Sequence, residues 1–185
     1  ILCGAARAFV AGADVTEFKG NSAQEIAKIA KYNLSIFNDI ESLEIPVISL
    51  IDGFALGGGN ELAMSTHYRI ATENAVIGQP EVKLGIIPGY GGSQRLPRLV
   101  GPRKALQMAA NGEPIDGREA VAIGLVDEYH HSATALSRAF QVARELISGE
   151  RVLPAKAWDE LAEQQRHELS ELLKNPAVAK LLSTE

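Results

Sequence analysis

The chain has 185 residues, 46% of them hydrophobic and 22% charged, which is enough for one domain with a sizeable core and excludes a disordered or fibrous protein. A formal net charge of −5, with no Lys/Arg cluster denser than Arg95-Leu96-Pro97-Arg98 with Arg103-Lys104, excludes an electrostatic binder of nucleic acid. No run approaches the roughly 18 uninterrupted apolar residues of a membrane span, and the single cysteine, Cys3, excludes an internal disulfide and fits a reducing compartment.

Ile1-Leu2-Cys3-Gly4 reads as the end of a buried strand, with Cys3 as a small buried hydrophobe; a segment before Ile1 is therefore expected to be missing. From about Ala23 to Leu43, Ile26, Ile29, Ile36, Ile40 and Leu43 recur at helical spacing with Asn33 on the same face, which predicts a long amphipathic helix. Pro46-Val47-Ile48-Ser49-Leu50-Ile51, closed by Asp52-Gly53, reads as a buried strand entering a turn. After the glycines at 57 to 59, residues Asn60 to Ser65 read as helix, and Tyr68 to Ala71 and Ala75 to Gly78 as strands. Residues 84–101 carry too many Gly and Pro for one element and read as a structured loop leading into a helical turn. Pro102 starts a helix that Asn111-Gly112 ends. Asp116 caps a further turn, with Glu119 three residues on and Gly124 as its stop, and Leu125-Val126-Asp127 reads as a last short strand. From Ser132 the pattern is helical: Leu136, Phe140, Ala143 and Ile147 share a face, which Trp158, Leu161, Leu169 and Leu172 continue after Pro154. The class is α/β with a helical C-terminal part, divided as 1–131 and 132–185.

Three consecutive glycines, Gly57 to Gly59, are costly inside regular structure and need a reason. A strand turning through them into a helix exposes backbone N–H groups at the positive helix end and lets a ligand come close, a suitable place for developing negative charge. A tight strand-to-helix turn would also require them. Glu61 sits in the first helical turn, where a carboxylate complements the macrodipole and is commonly a solvated charge. Glu81 follows Gln79-Pro80 at the end of an apolar strand and is placed to face a cleft. Two carboxylates from separate elements can share acid and base duties if their surroundings hold them in different protonation states. His67, His130, His131 and His167 have no metal-ligand spacing, and no Gly-x-Ser-x-Gly elbow is present, so neither zinc nor nucleophilic serine chemistry is expected.

Four stretches, "AFVAGAD" (8–14), "PVISLIDGFALGGGNELAM" (46–64), "GQPEVKLGIIPGYGGSQRLPRLVG" (78–101) and "AVAIGLVD" (120–127), together resemble the crotonase, or enoyl-CoA hydratase, superfamily, in unbroken order from Ile1 to about Tyr129. The resemblance implies a spiral of β-β-α units with a C-terminal helical region. It also implies an oxyanion hole made by the backbone N–H groups of Ala13 and Gly58, and catalytic carboxylates at Glu61 and Glu81. In that reading Gly89 contacts the attacking water, Ala11 and Asp14 lie on the coenzyme A side, and Asp14 fixes the Ala13 turn; Ser93, Lys19 and Tyr90 are candidates for lining the acyl or coenzyme A channel. Both glutamates are present, which favours water addition to a 2-enoyl-CoA, with Glu81 exchanging the Cα proton and Glu61 activating the water. No cofactor is implied beyond the coenzyme A of the substrate, and no metal.

The alternatives are an enoyl-CoA double-bond isomerase, which uses the same oxyanion hole and often one carboxylate, and a non-catalytic acyl-CoA-binding or assembly domain of a multifunctional β-oxidation protein. The family commonly forms a homotrimer or a dimer of trimers through its helical ending, which the tail from about Ser148 does not clearly follow. The expected location is the cytoplasm, or the mitochondrial matrix in a eukaryote.

Overall fold

Short apolar strands that pair in parallel have to be returned to the same edge by a crossover, and here each crossover passes through a second sheet. The computed structural model describes residues 1–5, 7–14, 16, 20–153, 163–174 and 176; Lys19, Pro154, Trp158, Leu161 and the side chain of Leu169 lie outside that description. One sheet contains β1 (Leu2–Cys3), β3 (Ile48–Ile51), β5 (Tyr68–Ala71) and β8 (Glu128–Tyr129), in that order and all parallel. The other contains β2 (Ala8–Val10), β4 (Phe54–Leu56), β6 (Val76–Gly78) and β7 (Ile115–Asp116), parallel except for the last pair.

The chain runs up β3, turns a corner at Asp52-Gly53 into β4, and returns through helix α2 (Gly58–Ser65) to β5 and β6. These are stacked β-β-α turns of a spiral. The corners are tied together: Asp52 Oδ1 accepts from Thr72 Oγ1 at 2.6 Å and from Asn74 Nδ2 at 2.9 Å. Gly53, with φ +96°, leaves no room for a Cβ beside the Arg7 carbonyl. Between the sheets and the helices lies a core of Ile51, Met64, Ile77, Leu96, Met108 and Leu125. No helix among the described residues is long and apolar enough to cross a membrane.

The long helix α1 (Ala23–Glu41) opens on a capping box, with the Ser22 side chain accepting from Glu25 N and the Glu25 carboxylate accepting from Ser22 N. Its inner face carries Ile26, Ile29, Asn33 and Ile40 as expected and differs at one position. Phe37, edge-on to Tyr90 with ring centroids 6.0 Å apart, takes the place expected of Ile36, which is exposed. Phe37 lies four residues after Asn33 and three before Ile40, on the same face.

Four other expectations are corrected. Residues 92–100 form a regular helix, α3 (Gly92–Val100), instead of one turn, with Pro97 inside it. Helices α4 (Pro102–Asn111) and α5 (Gly117–Ala122) follow, α5 capped by Asp116 accepting from Glu119 N. Leu125 and Val126 are buried in a bend, not a strand; the last strand, β8, lies one residue beyond Asp127, which accepts from Arg69 N at 2.8 Å. Cys3 is exposed: Leu2 packs on the core, and strand alternation turns its neighbour outward. In α6 (Ser132–Ser148) the buried residues are Ala135, Ala139 and Val142, packed on Ile48, Leu50, Tyr68 and Ile70. Small side chains let the helix lie close to the sheet, and the larger stripe one residue round is left outside, with Leu136 49%, Phe140 51% and Ile147 76% exposed. A twelve-residue helix, α7 (Glu163–Lys174), is the last element described.

Candidate active site

Each of the three glycines before Glu61 has its own reason. Gly57 has φ +54° and ψ −122°, a conformation that side-chain-bearing residues avoid, and a Cβ there would stand 3.1 Å from Glu81 Oε1. Gly59 packs against the backbone of β2, where a Cβ would overlap the Val10 carbonyl. Gly58 lines the cavity: its Cβ would meet the Tyr90 ring at 3.1 Å and lie 3.7 Å from the Ala13 nitrogen. As the first residue of α2, Gly58 has no intrahelical acceptor for its N–H. The amides of Ala13 and Gly58 therefore border one space.

This separation of roles gives a direct test of the packing glycine. Gly59→Ala is expected to destabilise the fold by about 1–3 kcal/mol or more, the cost of overpacking, and thermal unfolding reads it. A melting temperature equal to wild type would contradict the close approach of α2 to β2.

The space is a cavity of about 510 Å³. It is lined by Ala11, Gly12 and Ala13, by Gly57, Gly58 and Glu61 at the helix end, and by Glu81, Gly89 and Tyr90 beside them. Apolar side chains of α1 and of the segment after Glu81, among them Ile26, Leu84, Ile86 and Ile87, complete it. All the site residues expected from the sequence except Asp14 line this cavity. Asp14 is exposed, and its Oδ1 accepts from Thr16 N at 2.9 Å and Thr16 Oγ1 at 2.7 Å, closing the turn that follows Ala13. Of the three side chains considered for the channel, Tyr90 lines it, Ser93 is exposed at the start of α3 and is not in the wall, and Lys19 lies outside the described residues. His67, without a metal partner by spacing, has a structural contact: its Nδ1 accepts from Val47 N at 3.0 Å.

The two carboxylates sit in different surroundings. Glu61 is 1% exposed, and its Oε1 accepts from Tyr90 N at 2.8 Å and Gly92 N at 2.7 Å. Burial pushes its pKa up; the N–H groups of Gly92 and Tyr90, and then the charge of Arg95, pull it back. Glu81, 8% exposed in a short 3₁₀ turn (Pro80–Leu84), has weaker compensation. Burial, opposed by a backbone hydrogen bond and reinforced by the Glu61 charge, raises it to about 7. Gln79, fully buried, donates through its amide nitrogen to Glu81 Oε1 at 3.1 Å and Oε2 at 3.3 Å when the amide is oriented to satisfy both ends. Burial thus holds both carboxyls above their ordinary range, Glu81 at about 7, and the two differ in what opposes it: two backbone N–H groups and a cation at Glu61, one backbone hydrogen bond at Glu81.

Sequence reasoning did not find the groups that hold Glu61, the backbone amides of Tyr90 and Gly92, because backbone donors leave no signature in side-chain pattern. The signal available was the glycine density of Gly89-Tyr90-Gly91-Gly92; Gly91 adopts φ +105°, which turns the two amides toward the carboxylate.

Stacked β-β-α turns with a glycine-led helix over an apolar cleft are the crotonase class of α/β fold, and solved structures agree. The enoyl-CoA hydratase from Bacillus anthracis superposes with a TM-score of 0.73 at 32% identity, covering 89% of this chain and 69% of that one; the enoyl-CoA hydratase from Thermoplasma volcanium GSS1 gives 0.72 at 32%, covering 98% and 76%. The family model described as "Enoyl-CoA hydratase/isomerase" matches residues 1–179, and the chain belongs to that family. It is 51% identical over 129 residues to a Bacillus subtilis (strain 168) protein named "Probable enoyl-CoA hydratase", covering 68% of this chain and 49% of that protein. It is 46% identical over 142 residues to "Crotonyl-CoA hydratase" of Syntrophomonas wolfei, covering 77% and 55%. The chain spans about half the length of the curated relatives it matches.

Proposed function

We propose that the protein is an enoyl-CoA hydratase, a hydro-lyase that adds water across the 2,3 double bond of a 2-enoyl-CoA to give a 3-hydroxyacyl-CoA. The observation that carries this is the pair Glu61 and Glu81, both in the wall of one cavity beside the amides of Ala13 and Gly58. The names of the relatives support the same reading.

In this reading the thioester oxygen takes up the N–H groups of Ala13 and Gly58. Glu61, ionised, accepts a proton from the bound water while the hydroxyl oxygen bonds to Cβ. The electron pair of the double bond moves through Cα to the thioester oxygen, where the two amides stabilise the enolate. Cα then takes a proton from Glu81, the carbonyl re-forms, and one water has been added with no net change of charge. Gly89 contacts the water, and Ala11 and Asp14 lie on the side where coenzyme A enters. The reaction needs no cofactor or metal in this scheme, since coenzyme A is part of the substrate. The division expected from the sequence, 1–131 as core and 132–185 as C-terminal region, assigns the site to the core, and the exposed apolar stripe of Leu136, Phe140 and Ile147 supports assembly into a homotrimer or dimer of trimers. A soluble location, cytoplasmic or mitochondrial matrix, follows from the substrate class.

The competent state is the pair carrying one proton. Glu81 loses that proton as pH rises through about 7, so kcat/KM for hydration falls on the alkaline side, and it falls again on the acid side where Glu61 protonates. A pH profile flat across neutrality would contradict this assignment. The function itself is tested by offering crotonyl-CoA and a 3-enoyl-CoA in parallel. Loss of the enoyl-thioester absorbance of crotonyl-CoA supports hydration; turnover of the 3-enoyl thioester alone identifies an isomerase, and binding without turnover a non-catalytic acyl-CoA module.

A further inference from the structure

Arg95 is a guanidinium buried to 4% exposure that does not line the cavity, and neither the fold alone nor the proposed chemistry so far uses it. It sits one helical turn into α3, directly behind the turn that holds Glu61. Its Nε and Nη2 donate to Glu41 Oε2 at 3.1 and 2.8 Å, Nη2 also donates to Asn38 Oδ1 at 2.8 Å, and Nη1 donates to the Tyr90 carbonyl at 3.3 Å. Its own N–H donates to the Gly91 carbonyl at 2.8 Å. The guanidinium folds back so closely over Gly91 that a Cβ there would overlap it. Residues 90 to 92 are thus gripped on their carbonyl side by Arg95, while on their N–H side Tyr90 and Gly92 donate to Glu61 Oε1. Through Glu41 and Asn38 the same side chain ties down α1, which supplies Ile26 and Ala30 to the cavity wall.

We propose that Arg95 is a positioning residue for the reaction at Glu61, a buried cation that fixes the Tyr90–Gly92 turn from behind and adds a favourable charge to the carboxylate that the turn holds. The inference rests on the hydratase reading of the site. A neutral isostere of similar shape would fill the core equally well, and a buried charge costs desolvation that only good partners offset; here the partners are the turn itself and a carboxylate from a distant helix. The charged groups around Glu61 are Arg95 behind it and Glu81 in the same cavity; Arg95 in turn faces Glu41, whose charge also reaches Arg69.

The test uses three variants and two readouts. Arg95→Met removes the cation, so Glu61 ionises less readily and the acid limb of the kcat–pH profile moves to higher pH. Glu41→Gln leaves the cation uncompensated and moves the same limb to lower pH. A purely structural role cannot produce opposite shifts. Arg95→Lys keeps the charge but loses the fork, so the limb stays near its wild-type position while kcat falls roughly 10-fold to 100-fold, the scale of a small misplacement of a catalytic group, with KM little changed. Should Arg95→Met not fold, the other two variants still decide the matter. Carbon NMR titration of the Glu61 carboxyl in wild type and variants reads the same shifts without turnover. A wild-type protein that does not hydrate crotonyl-CoA overturns the hydratase reading, and the titration then decides alone whether Arg95 controls Glu61. Variants whose limbs and carboxyl titrations coincide with wild type, with kcat per folded molecule unchanged, overturn the inference about Arg95.

Discussion

Glu81→Gln is expected to slow hydration of a 2-enoyl-CoA roughly 10²–10⁴-fold, the usual contribution of general acid–base catalysis, with acyl-CoA affinity little changed. Glutamine keeps the size of the side chain and one of the two acceptors for Gln79 but can no longer give up or take the Cα proton. A fall in kcat and kcat/KM together, with unchanged binding of a non-reacting acyl-CoA, is the signature of an interaction made only in the transition state. Stability should move the other way. The folded pKa of Glu81, about 7, lies above its ordinary value of 4.5. Its contribution to stability is therefore complete below about 4.5 and lost as pH rises through 7. Glutamine does not titrate, so the variant's melting temperature should decline less than that of wild type across that range, the remaining decline coming from groups such as Glu61 whose pKa is also raised. Retention of most of the hydratase rate would remove Glu81 from the mechanism.

Gly58→Val is expected to abolish most turnover while leaving the fold largely intact. The proposed donor is the backbone N–H, which valine retains; the effect comes from where the side chain goes. A Cβ at this position reaches the Tyr90 ring at 3.1 Å and approaches the Ala13 nitrogen at 3.7 Å, so a branched side chain fills the space between the two amides that the thioester oxygen has to occupy. Loss of one such donor costs on the order of 10²–10³ in rate, and crowding both should cost at least that. Backbone propensity alone accounts for only about 1 kcal/mol of stability. Turnover and thermal unfolding measured on one preparation separate the two effects. A well-folded and fully active Gly58→Val protein would make Gly58 a packing residue like Gly59.

Much of the site was legible in the sequence because its parts are local. Gly57 to Glu61 and Gly78 to Glu81 are short stretches in which chain punctuation and chemistry coincide, and the family resemblance, carried by residues 8–14, 46–64, 78–101 and 120–127, implied Ala13, Gly58, Glu61, Glu81 and Gly89, which meet in one cavity. Strands at Ile48–Ile51, Tyr68–Ala71 and Val76–Gly78 and the helix Pro102–Asn111 follow from apolar runs bounded by Gly, Pro and Asp.

What escaped depends on contacts between distant residues. In the sequence Arg95 is only one member of the densest Lys/Arg cluster; its role depends on Glu41, 54 positions away. The stripe expected in α1 holds at Ile26, Ile29, Asn33 and Ile40 and misses Phe37, which meets Tyr90; the inner face of α6 is set by the small residues that fit against β3 and β5, where hydrophobicity counted along the helix favours the larger side chains and picks the wrong stripe. Cys3 reads as buried because an apolar run cannot say which of its alternating residues faces the core. The strand expected at Leu125-Val126-Asp127 failed for a similar reason: Leu125 and Val126 are buried without being paired, and the ladder to Ile70 and Ala71 is made by Glu128 and Tyr129.

The central claim is that this cavity adds water to an enoyl thioester, and the most direct measurement is the mass of the product formed from crotonyl-CoA in heavy-oxygen water. The account predicts a 3-hydroxyacyl-CoA carrying one solvent oxygen, formed at a rate that collapses in Glu81→Gln. Crotonyl-CoA recovered unchanged, or a product isomeric with it and free of solvent oxygen, would contradict the account.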